Sequence, residues 1–267
     1  MSPNLHVVDL GSGPAFVLLH AFPCDGSMWR PQAEALAIAG WRVLVPDLPG
    51  FGASPLLESA PSLDAVAGAL LHMLDERGID RCVVGGISLG GYLTMTIARL
   101  RPSLIAGVAL CDTKATADSD AARENRERLA RLCEESPDDT ARILEQAVLP
   151  GLLGDTSRQE RPEVVETVRG WLESASASTV AWYQRAMAGR PDSQEALSGL
   201  DVPALIVWGV EDALSPRAEQ DLMLACLRGA RLVAVEGAGH LANVERPDVV
   251  AGALVGFAAG ARGRPSS

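Results

Sequence analysis

Short runs of β-branched and other apolar residues alternate along the chain with longer stretches whose apolar positions recur at helical spacing. That alternation points to an α/β fold, a mostly parallel central sheet of seven or eight strands flanked by helices. Ala15–Leu19, Arg42–Val45, Cys82–Val84, Ile105–Leu110, Ala204–Trp208 and Leu232–Val235 read as buried strands, and Asn4–Leu10 offers one more. Leu63, Val66, Ala67, Leu70, Leu71 and Leu74 form a single helical stripe, with Ser62 placed to cap its start and Gly78 to end it.

The rhythm breaks after the strand that ends near Cys111. Residues 113–200 hold charged helical stretches and no convincing strand, which predicts a helical insertion covering the sheet, with residues 1–112 and 201–260 forming the core. Within the insertion, Asp118–Glu135 is rich in Arg and Glu and reads as solvated. Val180–Met187, with Trp182 and Tyr183, is more apolar and reads as the pocket wall. The tail from Ala259, and residues 261–267 above all, has too little apolar content to pack and is expected to fray.

Composition narrows the function. The 267 residues are 48% hydrophobic, enough for one sizeable core. No apolar run approaches the roughly 20 residues needed to span a bilayer, and Met1-Ser2-Pro3-Asn4 lacks the features of a signal peptide, so no membrane partner and a cytoplasmic location are expected. Five scattered cysteines, with no CxxC pair and no cysteine–histidine grouping, read as free thiols and imply no metal. A formal charge of -11 without a basic cluster argues against nucleic acid. Lys114 is the single lysine among 23 basic residues, a bias that on sequence alone says nothing of function.

The strongest local signal is Gly86-Ile87-Ser88-Leu89-Gly90-Gly91, between a predicted strand and a predicted helix. A serine on such a turn needs strained backbone angles, and small residues two before and two after it leave room for the bend. A serine hydroxyl is a weak nucleophile at neutral pH and needs a base of pKa about 6 to 7, oriented by a third group. Of four histidines, His6 is near the terminus, His72 mid-helix and His20 at a strand end, which leaves His240 in the loop Gly237-Ala238-Gly239-His240. Trp208-Gly209-Val210-Glu211-Asp212 meets the order Ser, acid, His; Asp212 is the first choice and Glu211 the alternative. Asp47 also ends a strand but precedes the serine, and reads as a turn cap. Acyl transfer further needs donors for the developing oxyanion, each worth on the order of 3 kcal/mol. The backbone N–H groups of Leu89 and of Phe22, in the loop His20-Ala21-Phe22-Pro23, are the candidates.

These motifs, with Pro46-Asp47-Leu48-Pro49-Gly50-Phe51-Gly52-Ala53-Ser54, occur in the order in which an α/β-hydrolase carries them, and the chain resembles that family over nearly its whole length. The resemblance is to the type that includes enol-lactonases, small carboxylesterases and carbon-carbon bond hydrolases. It implies Ser88 as nucleophile, His240 as base, Asp212 as acid, Phe22 and Leu89 as oxyanion donors, and the insertion as a cap. Serine at the elbow, where haloalkane dehalogenases carry aspartate, separates the chain from that branch. His20-Ala21 departs from the usual His-Gly, Ile87 replaces the frequent His or Gln, and the single strand before His20 replaces a hairpin, which favours seven strands.

The expectation is therefore a cofactor-independent serine hydrolase that cleaves an ester or lactone of a small carboxylic acid through an acyl-enzyme. Its pocket is expected to be lined by Ile87, Trp182, Met187 and Leu241. Carbon-carbon or thioester cleavage, perhydrolysis and acyl transfer use the same scaffold, and a non-catalytic ligand-binding protein is the rival class. A homodimer through the insertion is compatible with the sequence and not specified by it.

Overall fold

The computed structural model describes residues 4–261. Seven strands, β1 (Val7–Gly11), β2 (Ala15–Leu19), β3 (Arg42–Pro46), β4 (Cys82–Ile87), β5 (Ile105–Cys111), β6 (Ala204–Gly209) and β7 (Arg231–Val235), form one sheet in the order β1-β3-β2-β4-β5-β6-β7. Only β1 runs antiparallel, against β3. The helices are α1 (Arg30–Ile38), α2 (Leu63–Glu76), α3 (Leu89–Leu100), α4 (Asp120–Glu135), α5 (Thr140–Ala147), α6 (Leu149–Leu152), α7 (Asp155–Glu160), α8 (Pro162–Ser174), α9 (Ala177–Ala188), α10 (Gln194–Ser198), α11 (Arg217–Cys226), α12 (Ala242–Glu245) and α13 (Pro247–Ala261). Among the described residues no helix is long and apolar enough to cross a membrane.

The central strands β2, β4 and β6 are buried along their whole length, as a parallel sheet covered on both faces requires. Strand β4 runs further than its β-branched residues predict, taking in Gly85 and Gly86. A Cβ on Gly85 would lie 3.1 Å from Phe16 and 3.2 Å from Leu18, so tight packing between neighbouring strands overrides glycine's weak strand preference there. Register then aligns the carboxyl ends: Leu19 pairs with Gly86, Ile87 with Cys111, Cys111 with Val207 and Gly209 with Val235. The loops that leave β2, β4, β5, β6 and β7 consequently open at one edge.

Ser62 caps α2 by accepting the Asp64 N–H at 3.2 Å, and Gly78, in the left-handed region at φ 64°, follows its end, both as the sequence predicts. Two expectations are corrected. Helix α13 continues to Ala261, anchored by Val250, Leu254, Phe257 and Ala258, so Ala259, Gly260 and Ala261 are helical rather than frayed; the rest of that expected tail lies outside the described residues. Helix α4 is solvated over most of its residues, as expected, but not on every face. It packs along α9, burying Leu129, Ala130 and Cys133, while its charged outer face is joined to α9 through Arg185 with Glu127 and Glu134. The high charge of α4 is a surface stripe over a buried one, which composition alone conceals. All the described residues between β5 and β6 are helix or connecting segment, with no strand.

A pair of alanine substitutions tests this geometry. Gly68 lies exposed within α2 with nothing within 4 Å of an added Cβ, so Gly68→Ala should raise stability by about 0.5–1 kcal/mol. Gly90→Ala places a Cβ 2.1 Å from the Leu19 carbonyl oxygen and should lower it by about 3 kcal/mol, both read from urea midpoints.

Candidate active site

At the junction of β4 and α3 the backbone of Ser88 takes φ 52°, ψ -113°, a region that L-residues rarely occupy. The neighbouring glycines make this turn possible. A Cβ on Gly86 would lie 2.1 Å from the Gly90 oxygen, and one on Gly91 would lie 2.4 Å from Thr113 Oγ1. Ser88 is fixed from the β5 side as well: its N–H donates to Cys111 O at 3.0 Å, and its carbonyl accepts from Thr113 Oγ1 at 2.9 Å. The hydroxyl is thereby raised at the carboxyl edge of the sheet, and Leu89 begins α3, whose first N–H groups have no intrahelical acceptor.

His240, 152 positions away in sequence, comes to this hydroxyl, with Nε2 2.7 Å from Ser88 Oγ. Its Nδ1 lies 2.9 Å from Asp212 Oδ2. An ionised carboxylate only accepts, so Nδ1 carries the proton and Nε2 is left to accept from the serine hydroxyl. Asp212 Oδ1 accepts the N–H groups of Leu214 at 2.8 Å and Ser215 at 3.1 Å, and the Ser215 hydroxyl donates to Oδ2. Burial pushes the Asp212 carboxyl up, but the His240 interaction and the Ser215 hydrogen bonds outweigh it, and the group ends below its ordinary range. The adjacent Glu211 turns away and accepts from Thr156 N at 2.9 Å. Of the two acids weighed from sequence, the structure therefore brings Asp212 to the imidazole. Asp47 is a turn brace, accepting from Gly26 and Ala53, each at 2.9 Å.

Ser88 and His240 open into a cavity of about 280 Å³. Of the expected pocket residues Met187 lines it, and so does Phe22 of the expected oxyanion loop. Three expected pocket residues do not. Ile87 and Leu241 are fully buried away from its wall, since the residues flanking Ser88 and His240 point into the core when those two point out. Trp182 belongs to a separate surface depression of about 590 Å³ beside Leu56 and Ser176, its indole N–H donating to Ser59 O at 3.0 Å. On a helix, Trp182 and Met187 are five positions apart and face different ways. The wall opposite to expectation is supplied by α4, through Ala122, Asn125, Arg126 and Leu129, with Leu152 and Leu214 adding apolar surface.

A model of the alpha/beta hydrolase family matches residues 16–253. The chain belongs to the alpha/beta hydrolase family. A thermophilic esterase from Thermogutta terrifontis, solved with malate bound, superposes with a TM-score of 0.92 at 35% identity, over 97% of this chain and 94% of that one. The enol-lactonase from Burkholderia xenovorans LB400 superposes with a TM-score of 0.86 at 28% identity, over 96% of this chain and 97% of that one. The pimeloyl-[acyl-carrier protein] methyl ester esterase of Aromatoleum aromaticum is 29% identical over 243 residues, 88% of this chain and 94% of that protein. Other curated relatives are longer, and the chain spans 20 to 47% of the length of three of them.

Three buried groups of this chain support the site and escaped the sequence reading. Glu245 Oε1 accepts the N–H groups of Gly239 at 2.8 Å and Leu241 at 3.3 Å, on either side of His240, while Oε2 accepts Gly154 N–H at 2.9 Å. One carboxylate thus ties the histidine loop to the segment between α6 and α7. Asp112, fully buried at φ 41°, accepts Gly209 N–H at 2.7 Å and Ala242 N–H at 3.2 Å, joining the end of β6 to α12. Burial and the nearby charge of Asp212 push its carboxyl well above the usual range. His20 donates from Nδ1 to Ala21 O at 2.9 Å and accepts Leu48 N–H on Nε2 at 2.9 Å, which steadies the loop bearing Phe22. The only available signal for Glu245 was its position five residues after His240, at the end of α12. Nothing local marks Asp112 as buried.

Replacing Glu245 by Gln puts an amide NH2 against backbone N–H donors, so Glu245→Gln should lose about 1–3 kcal/mol in urea unfolding. Burial lowers the His20 pKa, keeping the ring neutral. Below about pH 6.5 the unfolded chain binds a proton that the folded chain refuses, so the contribution of this ring declines as pH falls. The stability difference between wild type and His20→Gln should narrow from pH 7 to pH 5.

Proposed function

We propose that the protein is a serine hydrolase that cleaves an ester or lactone of a small carboxylic acid through an acyl-enzyme. The observation that carries this reading is the continuous hydrogen-bond chain from Ser88 Oγ through His240 to Asp212, at 2.7 and 2.9 Å. As Ser88 Oγ attacks the carbonyl carbon, its proton passes to His240 Nε2, and the imidazolium is stabilised by the ionised Asp212. The carbonyl oxygen becomes an oxyanion, for which the backbone N–H groups of Leu89 and Phe22 are the donors. Collapse expels the alkoxide, which takes the proton from Nε2 and departs as an alcohol, or stays tethered if the substrate is a lactone. Water then adds to the acyl carbon, giving its proton to His240, and a second collapse frees the acid and returns the proton to Ser88 Oγ.

In this reading residues 113–200 act as a cap, because α4 and α9 supply much of the cavity wall. The esterase and lactonase relatives support the choice of a carbonyl substrate with an oxygen leaving group.

Ser88→Ala should reduce turnover of a short-chain aryl ester by about 10⁴-fold or more while the far-ultraviolet circular dichroism stays that of the wild type, and His240→Ala should be nearly as damaging. A fluorophosphonate probe should label the wild type and not Ser88→Ala. Undiminished turnover by Ser88→Ala would remove Ser88 from the reaction.

A further inference from the structure

The wall of the cavity beside Ser88 holds more positive charge than the structure there needs. Asp118 is fully buried and contacted by two guanidinium groups, Arg190 at 2.8 Å and Arg126. Burial pushes its carboxyl up and the two arginines pull it down further, to about 2. Arg190 is occupied elsewhere as well, donating to Met187 O and Thr116 O, each at 3.0 Å, and lying 4.0 Å above the Tyr92 ring. Arg190 and Arg126 together already overcompensate Asp118. Lys114 is nevertheless added, with its ammonium 3.7 Å from Asp118 Oδ1, too far for a hydrogen bond, and among the described residues it makes none. Its side chain is only 22% exposed.

Holding an ammonium in that position costs hydration that no hydrogen bond replaces, beside a carboxylate already contacted by two guanidinium groups, in a protein that has no other lysine. Both Lys114 and Arg126 line the same cavity as Ser88 and His240. Arg126 adds direction: its Nε faces Asp118, while Nη1 has only Gln184 Oε1 at 3.3 Å and Met187 Sδ at 3.4 Å, two long contacts that a stronger acceptor would displace.

We propose that Lys114 and Arg126 form an anion subsite in this cavity, so that the substrate carries a free carboxylate in addition to the bond that is cleaved. The inference rests on the hydrolase reading of Ser88, and it goes beyond it by naming the charge of the substrate. A carboxylate on a short carbon chain suits this subsite better than inorganic phosphate, because apolar surface adjoins the two cations. The small apolar area beside it, from Leu129, Leu152 and Met187, takes the short carbon chain between the carboxylate and the scissile carbonyl.

The test compares three esters of matched size: mono-4-nitrophenyl glutarate, with the carboxylate on the acid portion, 4-carboxyphenyl butyrate, with it on the alcohol portion, and neutral 4-nitrophenyl pentanoate. At least one anionic ester should exceed the neutral one in kcat/KM by about 10-fold or more, and Lys114→Met should cut that ratio by about 10- to 100-fold, the range of one charge-assisted hydrogen bond. Lys114→Arg should restore most of it, and added salt should weaken it. Binding is read separately, by calorimetry of glutarate and of inorganic phosphate with Ser88→Ala protein and with Ser88→Ala/Lys114→Met. Glutarate should bind the first and lose about 10-fold or more in affinity for the second. A neutral ester preferred over both anionic ones, glutarate affinity indifferent to Lys114, or phosphate bound more tightly than glutarate would each overturn the subsite. Turnover that persists in Ser88→Ala would instead count against the nucleophile, with the calorimetry still deciding the subsite.

Discussion

The backbone reversal at Ser88 is the constraint from which the rest of the site follows. A non-glycine residue at φ 52° is held in a conformation that costs on the order of 1–3 kcal/mol, so the surroundings must offset it. They do so by packing and hydrogen bonding at once. Three glycines let β4, α3 and the ends of β2 and β5 approach within distances that no side chain would tolerate, and Cys111 and Thr113 hold the peptide groups of Ser88 in place. The turn leaves the hydroxyl above the sheet and puts the start of α3 behind it, so the same bend that exposes a hydroxyl also presents a backbone N–H.

The remaining loops at this edge are held by buried carboxylates rather than by apolar contact. Asp212, Asp112 and Glu245 each accept backbone N–H groups from the loops that follow β6 and β7, and Glu245 extends the connection to Gly154 in the helical segment. Backbone amides that would otherwise be buried without partners are satisfied this way, and loops without regular structure acquire the rigidity of the sheet below them. The charges are also distributed. Acidic groups gather beneath the histidine loop, whereas the cavity wall near α4 carries Lys114 and Arg126. In the proposed reaction these two regions serve different ends: one supports proton transfer and the other sorts substrates by charge.

What could be read from the residues themselves was set by local physics. Parallel strands buried on both faces must be runs of apolar residues, a helix against a sheet must carry a stripe, and a serine on a strained turn must be flanked by small residues. Six strands were legible for those reasons, although β7, at the edge of the sheet, is half-exposed where its apolar run predicted burial, and so were α2 with its cap and the order of Ser88, Asp212 and His240. Their atoms then prove to lie within hydrogen-bond reach, because sheet register aligns the strand ends that bear them. The choice between Glu211 and Asp212 was open in sequence, as adjacent loop residues differ only in direction.

Tertiary structure alone decided the cavity wall. Which face of α4 and α9 turns inward depends on how the two helices pack, and packing buried one stripe of the otherwise exposed, charged α4 while turning Trp182 away from Ser88. It alone placed Ile87 and Leu241 behind the site, and gave Asp112 and Glu245 their partners, since a carboxylate is a brace only when distant amides converge on it. Lys114 illustrates the division best: as a letter it is a compositional oddity, and only the convergence of Asp118, Arg126 and Arg190 makes it an ammonium that shares its one carboxylate with two guanidinium groups, without a hydrogen bond of its own, in the cavity of Ser88. Periodicity and turn chemistry act over a few residues and are written locally, whereas burial and charge balance are sums over neighbours that the chain brings together only by folding.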